Sequence, residues 1–118
     1  MDIAFDDKLT TFILEGLDGR GDPQPELVVR LAMAFPDIRA LELTLALAAA
    51  AEGLDAVIAG GGRVASVLYR MATLVAVDTL VLEVRGWARD HPITARHLLM
   101  HWQDDPFFGR NLGNNTIA

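Results

Sequence analysis

The chain has 118 residues, no cysteine, ten basic and sixteen acidic side chains, and a formal charge of −6. At 52% hydrophobic and 22% charged residues, it is too apolar for intrinsic disorder and long enough to bury roughly two-thirds of its unfolded surface around one core. The acidic balance lacks the basic, high-pI footprint of nucleic-acid-binding domains, and without cysteine neither a disulfide framework nor a thiolate zinc site can form.

Seventeen alanines and seventeen leucines outnumber nine valines and six isoleucines. Alanine and leucine are strong helix formers and β-branched residues favour strands, so composition alone points to helices. Asp2, Asp6 and Asp7 stand where an export signal would carry positive charge. The most apolar stretch, 64–84, is interrupted by Arg70, Asp78 and Glu83 and falls short of the ~18 uncharged residues of a membrane span. The expectation is a soluble cytoplasmic protein without a membrane partner.

In chain order, Leu9, Phe12, Ile13 and Leu17 recur at helical spacing and predict a first helix over 6–17. Gly16, Gly19, Gly21, Pro23 and Pro25 follow and predict a loop. Pro25 and Glu26 suit a helix start, and Leu27, Val28, Leu31 and Phe35 are the buried positions expected over 25–35. Pro36 ends or kinks that helix. Asp37 opens the next, expected over 37–52 and closed by Gly53, with 54–59 a short helical turn or continuation. From Leu43 to Ala51 no position is charged, which predicts a helix enclosed on several sides.

Gly60, Gly61 and Gly62 mark a corner before the longest helix, 63–85. Its first half presents Arg63, Ser66, Arg70 and Thr73 on one face, whereas the second half is expected to be covered nearly all round. The β-branched run there makes a strand the competing reading. Gly86 closes the segment. A last helix is expected over 92–103, with Ala95, Leu98, Leu99 and Trp102 inward. Asp104, Asp105 and Pro106 stop it, and Phe107 and Phe108 are expected to pin an irregular tail. The prediction is an all-α, single-domain bundle of about five helices.

Few residues suggest chemistry. His97 and His101 stand four apart on one helix face, a spacing that can share a metal ion, but residue 98 is leucine where an HExxH motif carries glutamate. A third ligand would have to come from His91 or an aspartate. Arg20-Gly21-Asp22 falls in a Gly/Pro loop, where such a tripeptide arises by chance. Gly60 to Arg63 offers backbone amides to an anion, without the Lys and Ser/Thr of a P-loop. Asp78, inside an apolar helix, requires a partner if buried; Arg85 or an arginine of another helix is the expected one. No nucleophile–base arrangement has a recognisable signature, no cofactor is expected, and the reading leans away from an enzyme.

Residues 36–70 resemble the DNA-binding domain of LuxR-type regulators. The likeness rests on Glu42, Ala51-Glu52-Gly53-Leu54 and Ile58-Ala59, ahead of a helix carrying Arg63, Ser66 and Arg70. It implies that these three side chains lie in a major groove. The chain departs from the pattern at Gly62, where a large apolar residue is packed in that family, and in the apolar continuation 71–82.

A domain of this size can surround one wholly apolar helix, but here 43–51 and the second half of 63–85 both require cover. That surplus predicts a self-associating interaction or regulatory module, most simply a two-fold homodimer, with Leu74, Val77 and Val81 at the interface. A protein partner is the alternative cover; nucleic acid is not expected.

Overall fold

The computed structural model describes residues 4–17, 25–57 and 62–103. Five helices follow one another: α1 (Ala4–Leu17), α2 (Pro25–Ala34), α3 (Ala40–Val57), α4 (Gly62–Val84) and α5 (Ala95–Trp102). No strand occurs among the described residues, so the β-branched half of α4 is helical. The expected all-α bundle is what the chain adopts. The expectations for Arg20 to Asp22, for Gly60 and Gly61 and for the tail from 104 lie outside the described residues.

One core joins all five helices. Leu9 and Ile13 of α1 are buried one turn apart, and Phe12 meets Phe35 edge-to-face with ring centroids 5.9 Å apart. From α2, Leu27, Val28, Val29, Leu31 and Ala32 are buried. The inward residues of α4, Ala65, Leu68, Met71, Ala72, Val75, Thr79 and Leu82, recur every three or four positions. Packing of that stripe against α3 outweighs the strand preference of the valines. The buried Thr79 hydroxyl donates to the Val75 carbonyl at 2.7 Å, the usual refuge of a threonine inside a helix.

Helix α3 touches α1, α4 and α5 and packs most extensively on α4. Only four residues, 58–61, connect α3 to α4, so the two run antiparallel as a helical hairpin. Gly53 does not end α3, as its sequence position suggests. The helix continues to Val57, because a single glycine costs only about 1 kcal/mol and Leu54 beyond it packs against the core.

Two helix starts lie later than their sequence signals. Helix α3 begins at Ala40 rather than near Asp37, and α5 at Ala95 rather than Pro92. The segments before them pair through an isolated antiparallel bridge between Arg39 and Thr94. Ala40 N–H donates to the Ile93 carbonyl at 2.8 Å, and Ala95 N–H and Arg96 N–H donate to the Ile38 and Pro36 carbonyls at 2.9 Å each. Each helix thus finds acceptors for its first amides in the lead-in of the other. The exposed Arg96–Asp37 ion pair at 2.7 Å lies on this seam and adds little.

Helix α4 stops by a specific device. Gly86 has φ 75; its N–H donates to the Glu83 carbonyl at 3.0 Å and Trp87 N–H to the Leu82 carbonyl at 3.1 Å, the paired bonds of a Schellman ending. A side chain at this φ is strained by about 1–2 kcal/mol. Gly86→Ala is therefore expected to lower unfolding stability by about that amount in urea titration. An unchanged midpoint would show that the ending tolerates a Cβ.

Candidate functional site

Two features stand apart from the core: an aromatic and imidazole cluster at the α4–α5 corner, and an apolar face on the α3–α4 hairpin.

The Schellman ending aims Trp87 at α5. Its ring meets His97 at 6.4 Å and His101 at 6.1 Å, both edge-to-face, and His91 stacks on His97 at 5.8 Å with an interplanar angle of 16°. His97 is the third residue of α5, counted from its N-cap Thr94. Its Nδ1 accepts from the Thr94 backbone N–H at 3.0 Å and lies 3.1 Å from Thr94 Oγ1. The imidazole does what glutamate or glutamine does at this position of a capping box.

Accepting at Nδ1 requires the proton to sit on Nε2, so His97 offers a metal no lone pair without releasing the cap. Among the described residues no group of three His, Asp or Glu side chains is arranged to hold a metal ion. His97 and His101 do share one face, as their spacing implies, but Trp87 packs on both.

His97→Ala is expected to cost about 0.5–2 kcal/mol by removing the cap acceptor, and His97→Gln to recover most of it, read as thermal midpoints. Equal losses in both variants would mean that ring packing on Trp87, rather than the cap, is what His97 supplies.

Asp78 is half-buried and accepts from Trp102 Nε1–H at 2.8 Å. An indole of another helix is thus a partner of this carboxylate. Trp102 has no exposed surface, so its N–H must find an acceptor inside the fold, and Asp78 stands where α5 crosses α4.

Arg63, Ser66 and Arg70 are all exposed, on one face of the first half of α4, as their spacing predicts. The helix that carries them runs for 23 residues and packs extensively on α3.

The apolar face continues that arginine strip along α4, with Val77 and Val84 following Arg63 and Arg70 at seven-residue spacing. Val77, Leu80 and Val84 are 50%, 60% and 80% exposed, and Tyr69 is 41% exposed. On α3, Leu41 and Leu45 are exposed one turn before Thr44 and Ala48 on the same strip. Of the three interface positions expected from sequence, Val77 lies on this face. Leu74 packs partly against the core and Val81 is half-buried. The outward strip of α4 is therefore turned from Leu74–Val77–Val81 to Tyr69–Val77–Leu80–Val84. Enclosure of this half of α4 is not complete within one copy.

Between the helices the face sinks into an open hollow of about 460 Å³. Ala48, Ala72 and Ala76 contribute small side chains to it, with Tyr69 and Leu80 among its walls. Thr73 donates its hydroxyl to the Tyr69 carbonyl at 3.0 Å. Thr44, also lining the hollow, holds a buried Oγ1 without a hydrogen-bond partner.

Helix Gly62–Val84 is long and apolar enough to cross a membrane by length and composition. One side of it, from Ala65 to Leu82, is buried against the rest of the fold. Compared with family models, curated proteins and solved structures, the chain matches none.

Proposed function

We propose that this chain is a small cytoplasmic interaction module that acts as a homodimer, without catalysis of its own, through the outer face of its α3–α4 hairpin. The observation that supports this reading is the exposed apolar strip. The exposed parts of Leu41, Leu45, Tyr69, Val77, Leu80 and Val84 amount to on the order of 500 Å², at the upper end of the largest patch on an ordinary monomer. Two such patches together reach the ~1,000 Å² that a specific interface needs. A patch that pairs with itself forms a closed two-fold assembly, the commonest arrangement of identical chains.

Nucleic acid is a poorer fit. Arg63 and Arg70 are two positive charges on a chain of net charge −6, and affinity for a phosphate backbone comes from several such contacts.

Light scattering after gel filtration tests the proposal. A mass near twice 12.8 kDa at micromolar concentration is expected, with the protein remaining in the aqueous fraction when mixed with neutral vesicles. A monomer at that concentration, or flotation with the vesicles, overturns it.

A further inference from the structure

The hollow and the strip around it also constrain how two copies would meet. We propose that the dimer is antiparallel about a two-fold axis passing between Ala76 and Val77, with Leu80 of each copy seated in the hollow of the other. This rests on the self-association reading above and adds its geometry.

The exposed apolar positions of α4 run from Tyr69 to Val84, and the midpoint of that run lies between residues 76 and 77. A two-fold axis perpendicular to the helix at that point lays the whole strip on itself. It sets residue 80 of one copy opposite residue 73 of the other, where the small side chains of Ala72 and Ala76 line the hollow. Leu80, 60% exposed, is the large apolar side chain that lands there, and the symmetry makes the insertion reciprocal.

The parallel alternative, with the axis along the helices, faces every residue with its own copy. Leu80 would then meet Leu80 and Tyr69 would meet Tyr69, while the two hollows faced each other empty. Unfilled apolar space forfeits the contacts that hold helices together, so shape selects the antiparallel form. Antiparallel helices also bring opposite ends of their macrodipoles side by side.

The chain has no cysteine, so single cysteines report cleanly. Val84 lies about 7.5 residues from the proposed axis, and Val77 lies beside it. With 1.5 Å rise per residue and helix axes 8–10 Å apart, the two Val84 positions are about 24 Å apart and the two Val77 positions about 10 Å apart. Nitroxides on Val84→Cys and Val77→Cys, measured by electron dipolar spectroscopy, should give one long and one short separation. Air oxidation of unlabelled Val77→Cys should link two copies.

Short separations at both positions would overturn the antiparallel geometry in favour of the parallel one. Separations well beyond 24 Å at both would overturn it by placing the contact on another face. Light scattering on each labelled sample separates these outcomes from failure of the self-association reading, in which both samples remain monomeric.

Discussion

Trp102→Ala is expected to lower unfolding stability by about 3–5 kcal/mol, the usual cost of deleting a fully buried aromatic side chain. Trp102 has no exposed surface and belongs to the core that joins all five helices. Its ring supplies volume and its Nε1–H supplies Asp78 with a donor at 2.8 Å. Trp102→Phe separates the two roles: it keeps much of the volume and removes the donor, with an expected cost of about 1–3 kcal/mol. A double-mutant cycle with Asp78→Asn isolates the coupling. Urea unfolding of the four proteins measures it. Additive effects in the cycle would show that the indole acts by packing alone.

The second large effect is expected in association. Leu80→Asp should leave the helical circular dichroism and the unfolding midpoint of the isolated copy close to those of the parent, because Leu80 is 60% exposed and holds no part of the core. The same change should weaken the dimer on the order of 100-fold or more. In the proposed dimer it removes an apolar side chain from both halves of the contact and places two carboxylates away from water. Met100→Asp, on α5 and 55% exposed, is the matching control and should leave association unchanged. Sedimentation equilibrium reads both. An unaltered dissociation constant for Leu80→Asp would remove Leu80 from the interface.

The repeating patterns carried most of the architecture. Leu9 and Ile13, the α2 stripe from Leu27 to Leu31, and Leu98 with Trp102 were readable from sequence because each helix buries one side, so helical spacing maps directly onto burial. Gly86 was readable as a stop because a left-handed residue there is what a Schellman ending requires. The starts of α3 and α5 were not, since they are set by backbone bonds between segments 36–40 and 93–96. Such bonds use no side chain and leave no trace in residue type. Gly53 misled for the opposite reason: its local cost is real, but the packing of Leu54 is larger.

The candidate face was half legible. An excess of apolar residues on α4 is visible in the sequence. Which side stays open depends on where α3 lies, and the hairpin leaves Leu80 and Val84 outward while taking Leu74 partly inward. The role of His97 was hidden for a related reason. Its spacing to His101 suggests a shared ligand, whereas its distance from Thr94 is the one the structure uses. The indole partner of Asp78 comes from 24 residues away, a pairing that chain order does not announce.

The covering of the hairpin face by a second copy is tested most directly by isotope-filtered nuclear Overhauser spectroscopy on a mixture of carbon-13-labelled and unlabelled protein. Contacts between copies are expected at the methyl groups of Val77 and Leu80, and none at Leu14, Met33 or Met100, which are exposed elsewhere. A spectrum with no contacts between copies at Val77 and Leu80 would contradict the account.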